Sequence, residues 1–434
     1  MTQPTHRPRM VVPDIARGLA LLGICIANMS TAWLAHGTGP AGMFGGIAGD
    51  STADKAAALF AAMFAHDRGL PMFSTLLGFG VGLITMSLWR RGFPLPAARS
   101  VIVKRYGLLA AFGLAHGIFL FSGDIMMFYG LCGILIACLL SLTDKALLRI
   151  AYGLLGLVSV GGAAIAALVA WLRDDFAGAD PFSTGATAPA ETFLGMLGEN
   201  LIVMMGQLIG SPLFMLMYLP VMLVGFVWAR RGVLADVDAH RGTLLAWTGI
   251  AAAVVALIGL PWGLCAIGVL PDNLTPVFAA LNFTVGILSG PGILAAVALV
   301  LNPVQKAVSA GAAMPRWLWP FSALGKRSMS GYVLQSVILL ALIFPFTAGI
   351  GADFSAAQML GLAFITWLIT LVLACVLEAL GAPGPLEWAH RRLAYGPTRR
   401  AELPAKYRTP LAPGTPDAAN APTSTGENPP SPRS

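Results

Sequence analysis

An imidazole and a carboxylate lie eight residues apart in a part of the chain that is otherwise almost entirely apolar. His116 is in the sequence Gly-Leu-Ala-His-Gly, and Asp124 follows at a short glycine-containing turn. A histidine with a carboxylate partner is suited to general-base chemistry near neutral pH. The alternative is a buried neutral histidine that is hydrogen-bonded to a backbone carbonyl or a serine, and the sequence leaves both interpretations open.

Two opposite charges stand at the beginning of the first apolar run. Asp14 precedes Arg17 by three residues, so the two side chains can pair on one helical face. Asn28 follows Arg17 by three helical turns, which places the guanidinium and the amide on the same side, about 16 Å apart. A charge at the edge of the hydrocarbon costs several kcal/mol unless it is paired or faces a polar cavity. These residues are therefore candidates for a functional site.

Arg105 precedes His116 by the same eleven residues. If the two helices face each other, Arg17 and Arg105 lie at one end of a polar column, and Asn28 and His116 lie deeper. Guanidinium groups bind phosphates in a bidentate manner. We therefore expect the arginine end to hold an anionic donor that carries phosphates, and His116 with Asp124 to deprotonate an acceptor at the other end.

Asp67 and Arg68 precede the second apolar run. They are candidates for an outer polar cluster that faces His36 or His116, and the alternative is a solvated helix cap. Either arrangement would place a charged pair at the membrane boundary.

Another polar pair lies on the ninth apolar run. Tyr332 and Gln335 share a helical face at i and i+3, and Gln335 is expected either to join two helices or to bind a ligand. Lys326 and Arg327, at the start of this run, are expected to add positive charge to the arginine end of the column.

The composition indicates an integral membrane protein. Of 434 residues, 57% are hydrophobic and 11% charged, whereas soluble proteins have about 25% charged residues. The predicted fold is all-α, a polytopic transmembrane bundle of about ten spans. The apolar runs lie near 15–35, 70–88, 102–122, 125–142, 148–172, 211–229, 243–268, 276–301, 329–347 and 358–379. Any chemistry must therefore take place within the bundle or at its rims.

Charge asymmetry predicts the orientation. The net charge is +7, and most of the 27 Lys and Arg residues fall on alternate connections between the ten runs. This positive-inside pattern predicts that both termini are cytoplasmic. The partner expected from this distribution is the lipid bilayer and not nucleic acid.

Smaller features complete the prediction. The five cysteines lie within apolar runs and are interpreted as small buried side chains, so no metal site is expected. The glycines at 78, 80 and 82 predict close helix packing. The first run lacks a cleavage motif and is expected to remain as an anchor. Residues 55–66 predict an amphipathic helix at the outer interface, and residues 191–210 predict a separate re-entrant or interfacial helix.

The chain divides into two parts. Residues 1–400 are predicted to form a single membrane domain, and residues 401–434, rich in Pro, Ala and Thr, a disordered cytoplasmic tail. Glu387 and Arg391, spaced i to i+4, are expected to form a structural salt bridge on a short cytoplasmic helix.

Four ordered motifs resemble the YeiB family of bacterial multi-pass membrane proteins, which is described as a domain of unknown function. The resemblance implies a location in the plasma membrane of a bacterium. The motifs are Asp14-x-x-Arg17-Gly18 with Asn28, Gly113-x-x-His116 with Gly123-Asp124, Tyr332-x-x-Gln335, and Gly384-Pro385-x-Glu387-Trp388-x-x-Arg391. The first motif is also distantly similar to the membrane acyltransferase clan, which includes acyltransferase type 3 proteins and heparan-alpha-glucosaminide N-acetyltransferase.

The distant resemblance implies transfer of an acyl group from cytoplasmic acyl-CoA, as co-substrate, to an envelope glycan or lipid. Asn28 matches the asparagine at the same offset in the heparan enzyme. In that enzyme a catalytic histidine follows the asparagine after eleven residues, whereas here His36 follows Asn28 after eight. The resemblance therefore does not extend to His36 as a catalyst. The implied roles are donor binding by Arg17 and Arg105, orientation of Arg17 by Asp14, hydrogen bonding of the thioester region by Asn28, and activation of the acceptor by His116 with Asp124.

Three functional hypotheses remain open from the sequence. The first is an O- or N-acyltransferase in which His116 is a base or a transient acyl carrier. The second is a transporter of a small anion or a lipid-linked compound, for which broken helices and paired repeats would be expected. The third is a non-catalytic membrane protein in which the charged residues are packing pairs.

Overall fold

The computed structural model describes residues 10–34, 39–172, 190–404 and 407, and the regular elements in these ranges are helices. The α-helices are α1 Val11–Asn28, α2 Thr52–Phe64, α3 Gly69–Arg90, α4 Leu95–Phe119, α5 Met126–Cys138, α6 Asp144–Trp171, α7 Phe193–Arg231, α8 Arg241–Val254, α9 Leu260–Ala266, α10 Thr275–Thr284, α11 Ser289–Ser309, α12 Trp319–Gly325, α13 Ser328–Ile343, α14 Ala356–Ala379 and α15 Pro385–Tyr395. Two π-helical segments, Met29–Trp33 and Val255–Gly259, continue α1 and α8.

The helices confirm an all-helical membrane protein. Eight stretches are long and apolar enough to cross a membrane by length and composition: Val11–Trp33, Thr52–Arg90, Leu95–Phe119, Asp144–Trp171, Phe193–Arg231, Arg241–Ala266, Asp272–Ser309 and Ala356–Ala379. Two shorter apolar helices, α5 and α13, account for the remaining two predicted runs. The count of ten spans and the cytoplasmic termini stay predictions.

Helix α7 corrects one prediction. The separate segment expected at residues 191–210 is part of a single helix of 39 residues that runs through Pro212 and Pro220. Two of its polar side chains donate hydrogen bonds to backbone carbonyls at the end of α4 and just beyond it. Asn200 Nδ2 donates to the Ile118 carbonyl at 3.1 Å, and Gln207 Nε2 donates to the Ser122 carbonyl at 2.8 Å. The polarity of this stretch reflects packing against the end of α4 and not a break in the helix.

Close glycine contacts join α3 to α7, as the sequence predicted. A Cβ atom added at Gly78 would lie 1.8 Å from the Met222 carbonyl oxygen, and one at Gly225 would lie 2.0 Å from the Thr75 carbonyl oxygen. Any side chain at these positions would force the two backbones apart. The glycines therefore serve helix packing.

Helix α12 covers the beginning of α1 at similarly short range. A Cβ atom at Gly325 would lie 1.7 Å from the Asp14 carbonyl oxygen, and one at Gly18 would lie 2.4 Å from the Phe321 carbonyl oxygen. Trp367 Nε1 on α14 donates to the Gly18 carbonyl at 3.0 Å. The first motif of the sequence is thus held between α12 and α14.

The predicted tail begins with packed residues. Ala401 is buried and its carbonyl accepts a hydrogen bond from Arg91 Nη2. The packed part therefore extends beyond the predicted boundary at residue 400. The rest of that predicted tail, from residue 408, and His36 lie outside the described residues.

Candidate functional site

Three side chains from separate parts of the fold form a continuous hydrogen-bonded chain. His116 Nδ1 lies 2.8 Å from Asp124 Oδ1, and His116 Nε2 lies 2.9 Å from Ser336 Oγ on α13. All three are buried, with exposed fractions of 4%, 1% and 3%. Because an ionised carboxylate can only accept, Nδ1 donates to Asp124, and Nε2 is left to accept the Ser336 hydroxyl. This is the order of groups in a Ser-His-Asp triad.

The Asp124 carboxylate is fixed from two sides. Its Oδ2 accepts a hydrogen bond of 2.8 Å from the Met127 backbone N–H, in the first turn of α5, where the helix dipole favours a negative charge. On the other side, Gly113 of α4 leaves the necessary space, because a Cβ atom there would lie 2.6 Å from Oδ2 and 2.0 Å from the Met127 nitrogen. The glycine three residues before His116 thus allows the carboxylate to reach the imidazole.

A small cavity adjoins Ser336. Its volume is about 10 Å³, which is close to the space that one water molecule requires. The cavity is lined by Cys25, Asn28, Trp33, Tyr332, Gln335, Ser336 and Leu339. Asn28 of α1 and Ser336 of α13 therefore share one space. The expectation that Asn28, Arg105 and His116 line one cavity is not met, because Arg105 and His116 do not line this one.

Gln335 supplies an unused donor beside this cavity. The side chain is only 4% exposed, and its Nε2 has no hydrogen-bond partner in the described part of the chain. Leaving a buried donor unpaired costs about 1–3 kcal/mol. Gln335 shares the cavity with Tyr332, so the predicted common face is confirmed. Gln335 was also predicted to join two helices, but its Nε2 donates no hydrogen bond to another helix in the described part of the chain.

Aromatic rings surround the cavity and the histidine. Trp33, the last residue of the first π-helical segment, stacks on Phe121 at 4.5 Å between ring centroids and contacts Phe344 edge-on. The Tyr332 ring lies 5.2 Å from the His116 ring. Single π-helical turns within α-helices occur frequently at functional sites. Because the cavity volume is only about 10 Å³, a substrate larger than water requires lining residues such as Trp33 to move.

The arginine end of the predicted column forms as a separate cluster. Arg17 pairs with Asp14 at 3.5 Å, as predicted. Arg105 Nη1 donates to the Tyr395 hydroxyl at 3.2 Å, and its guanidinium lies 5.7 Å from the centre of that ring. Tyr106 lies within electrostatic range of both guanidinium groups. Helices α1 and α4 thus bring the two arginines to the same tyrosine.

Two other cations predicted for this end are neutralised. Lys326 Nζ pairs with Glu378 Oε1 at 2.5 Å, and Arg327 Nη1 pairs with Glu378 Oε2 at 2.6 Å. Arg327 Nε also donates to the Ala382 carbonyl. The expectation that Lys326 and Arg327 add free positive charge is wrong, because a carboxylate on α14 lies between them.

Asp67 and Arg68 do not face His116. Arg68 Nη2 donates to Asn282 Oδ1 at 2.7 Å, and Asn282 Nδ2 donates to Asp67 Oδ2 at 2.9 Å. The predicted polar cluster exists, but its centre is Asn282 of α10, which the sequence analysis did not single out. The interpretation as a solvated cap is also wrong, since Arg68 is buried.

Glu387 has partners other than the predicted Arg391. Its Oε1 accepts hydrogen bonds from the Met329 and Ser330 backbone N–H groups at 2.8 and 3.2 Å, and its Oε2 accepts one from the Ser330 hydroxyl at 2.5 Å. A carboxylate at a helix N-terminus satisfies otherwise unpaired amides. Glu387 therefore caps α13, the helix that carries Ser336.

Ser336 is the member of the triad that the sequence did not reveal. It follows Gln335 and lies four residues after Tyr332, so helical phase alone places it on the face of a motif that had been recognised. Serine is common in membrane helices, and nothing nearby in the sequence marked this one. Its hydrogen-bond partner, His116, lies 220 residues away in the chain.

Comparisons with known proteins bear on the family and not on the reaction. Residues 228–397, from the end of α7 to α15, match a family described as "Protein of unknown function (DUF418)". The chain is 24% identical over 431 residues to "Uncharacterized protein YeiB" of Escherichia coli strain K12, covering 92% of this chain and 99% of that protein. It is 30% identical over 167 residues to "Uncharacterized protein YxaH" of Bacillus subtilis strain 168, covering 36% and 39% respectively.

Ser336 and Gln335 lie within the matched region, whereas His116, Asp124 and Asn28 precede it. The similarity to YeiB spans nearly the whole chain and includes both parts. These matches confirm the resemblance inferred from the motifs: the chain is similar to YeiB-like proteins of unknown function.

Proposed function

We propose that this protein is a membrane-embedded acyltransferase that moves an acyl group from acyl-CoA to a hydroxyl or amine of an envelope glycan or lipid. The observation that carries the proposal is the hydrogen-bonded chain of Asp124, His116 and Ser336 beside a cavity. A nucleophile within bonding distance of a base, which is itself oriented by a third group, is the arrangement that acyl transfer uses on many unrelated folds.

In the first half-reaction Ser336 is the nucleophile. His116 Nε2 takes the hydroxyl proton as Oγ attacks the acyl carbonyl carbon. The carbon–sulfur bond then breaks, and the departing thiolate takes the proton from His116. The products are free coenzyme A and an acyl ester on Ser336.

In the second half-reaction the acceptor takes the place of coenzyme A. His116 removes a proton from the acceptor hydroxyl or amine, which attacks the carbonyl carbon of the ester. The bond to Oγ breaks, and Ser336 regains its proton from His116. Asp124 touches no reacting atom and acts as a positioning residue that keeps Nε2 free to accept.

Gln335 and Asn28 support the negative charge that develops on the carbonyl oxygen. Both line the cavity beside Ser336, and Gln335 Nε2 is already desolvated and unpaired. A donor that is already in place needs no reorganisation when the transition state forms. Removal of one such donor lowers kcat by about 10²–10³-fold.

Arg17 and Arg105 are the donor-binding groups in this proposal. Their guanidinium groups lie near one tyrosine, Tyr106, at the end of α1 and α4 that positive-inside topology assigns to the cytoplasm. Phosphates of coenzyme A would replace the neutral contact between Arg105 and Tyr395 with charge-assisted bonds. Displacement of Trp33 from Phe121 would open the cavity to the acyl group.

The test is covalent labelling of the purified full-length protein with acetyl-CoA and with an activated acetyl ester, read by intact-protein mass spectrometry. The wild-type protein should gain one acetyl group, and peptide mapping should place it on Ser336. Ser336→Ala should lose the label. Ser159→Ala is the matched control, because Ser159 Oγ is also buried in a helix but has no hydrogen-bond partner among the residues that the structure describes.

Two results would overturn parts of the proposal separately. If wild-type protein shows neither label nor turnover with any acyl donor, and coenzyme A does not change its thermal stability, the acyltransferase function is wrong. If label and turnover persist in Ser336→Ala but are lost in His116→Gln, then His116 itself is the base or acyl carrier and the serine assignment is wrong.

A further inference from the structure

A second cavity lies away from the triad, between α2, α8 and α11. Its volume is about 440 Å³, which falls within the range of ligand-binding pockets, about 300–1,000 Å³. It is lined by Met63, Phe64, Arg68, Thr248, Ala251, Ala252, Val255, Ile293 and Ala296. Thr248 Oγ donates to the Leu244 carbonyl of its own helix, so Arg68 is the one charged residue in an otherwise apolar lining.

Among the described residues, the Arg68 guanidinium donates hydrogen bonds to neutral oxygens, although the Asp67 carboxylate lies within electrostatic range of it. Its Nε donates to the Met63 carbonyl at 3.1 Å, Nη1 to the Asp67 carbonyl at 3.0 Å and Nη2 to Asn282 Oδ1 at 2.7 Å. The Asp67 carboxylate is engaged by Asn282 instead. A guanidinium has five N–H donors, so two remain for a ligand on a side chain that is only 2% exposed.

Two glycines let the backbone pack closely around the guanidinium and hold it beside the groove. A Cβ atom at Gly259 would lie 3.0 Å from Nη2, and one at Gly286 would lie 3.2 Å from Nη1. Gly259 ends the second π-helical segment, and Val255 at its start lines the groove. Irregular helix geometry of this kind concentrates at functional sites.

The dimensions fit one leaflet of a bilayer. Arg68 directly precedes α3, whose 22 residues span about 33 Å, the full hydrocarbon thickness. If α3 alone spans the core, Arg68 lies at one membrane boundary, and Gly259, which packs against its guanidinium, is level with it. From Gly259 to Thr248, the far end of the groove on α8, eleven residues cover about 16 Å, which is close to half of the roughly 30 Å hydrocarbon core.

We propose that this groove binds an anionic phospholipid, with one acyl chain along α8 and α11 and the headgroup phosphate on the Arg68 guanidinium. Guanidinium and phosphate form bidentate, charge-assisted hydrogen bonds, and a buried site strengthens them. The apolar walls replace the contacts that the acyl chain makes with other lipids. The site does not depend on the triad or on the proposed acyl transfer.

The test is native mass spectrometry of the delipidated full-length protein with phosphatidylglycerol or phosphatidylcholine of identical acyl chains. Phosphatidylglycerol should bind at least tenfold more tightly, because it carries a net negative charge. Ala252→Trp should fill the groove and weaken this binding at least tenfold. Ala253→Trp is the matched control, since Ala253 is next to Ala252 on the same helix and is exposed, but it does not line the groove.

Three results would overturn the proposal. Equal binding of the two lipids would remove the role of Arg68, and unchanged binding in Ala252→Trp would place the lipid elsewhere. Displacement of phosphatidylglycerol by millimolar inorganic phosphate would identify the ligand as a free anion. Arg68→Gln should abolish the preference for phosphatidylglycerol, and the Ala252 variant keeps the test decisive if this one does not fold.

Discussion

Replacing Gly113 by alanine should disrupt the hydrogen bonds of Asp124 without altering any residue of the triad. The added Cβ would lie 2.6 Å from Asp124 Oδ2 and 2.0 Å from the Met127 nitrogen, where ordinary contacts begin at 3.4 Å. The carboxylate must move by roughly 0.8 Å and the backbone by more, because packed interiors do not absorb such overlaps. That displacement is enough to break the 2.8 Å contact with His116.

The expected cost is large for a single added methyl group. A hydrogen bond to a charged group contributes about 1.5–3 kcal/mol, so loss of the His116 and Met127 contacts should destabilise the protein by about 3 kcal/mol or more. If the triad is catalytic, a misplacement approaching 1 Å should also lower acyl transfer about 10²-fold. Thermal unfolding in detergent and labelling of Ser336 measure the two effects independently.

Gly107→Ala is the matched control on the same helix. A Cβ atom at Gly107 meets only the Ile134 side chain, at 4.0 Å, and alanine stabilises a helix interior by about 0.5–1 kcal/mol relative to glycine. The control should therefore be neutral or stabilising. If Gly113→Ala unfolds at the same temperature as Gly107→Ala, the close approach of Asp124 to α4 is not a feature of the folded protein, and the reasoning is refuted.

Three further predictions concern the framework around the site. Gly325→Ala should lower the unfolding temperature, since its Cβ would lie 1.7 Å from the Asp14 carbonyl, whereas Gly361→Ala, with nothing within 4 Å, should not. Trp367→Phe should cost about 1 kcal/mol through loss of the hydrogen bond to Gly18; equal thermal stability of mutant and wild type would contradict this. Burial, with the nearby Arg105 guanidinium, lowers the pKa of His390 to about 4 from its ordinary 6.5. The unfolded chain therefore binds the proton first, so the contribution of His390 to stability is complete above pH 6.5 and is lost as the pH falls toward 4. In His390→Gln, the unfolding temperature should therefore depend less on pH between 4 and 6.5 than in the wild type. An unchanged dependence would refute the lowered pKa of His390.

Local contacts were predicted well because helical geometry determines them. Asp14 and Arg17 pair three residues apart, and His116 meets Asp124 across one short turn. The Tyr332 and Gln335 side chains share a cavity because i and i+3 positions share a face. Each of these predictions needed only the helical repeat or the short length of a connection.

Contacts between distant helices were predicted poorly. The sequence indicated free cations at Lys326 and Arg327, but Glu378 of α14 neutralises both. It predicted for Arg68 either an outer cluster facing His36 or His116 or a solvated helix cap, whereas the Arg68 guanidinium donates to Asn282, 214 residues away. A polar residue in a membrane helix must find a partner, but composition does not specify which of many helices supplies it.

The sequence by itself therefore determined an all-helical membrane protein, the polar faces of single helices and the family resemblance. Hydrophobic run length, helical phase and motif order are properties of the chain alone. Only the tertiary structure decided that Ser336 joins the pair of His116 and Asp124, because the fold brings Ser336 Oγ of α13 to within 2.9 Å of His116 Nε2 of α4. The physical reason is that helical periodicity sets neighbours within about four residues, whereas the choice of partner helix follows from side-chain packing across the whole bundle.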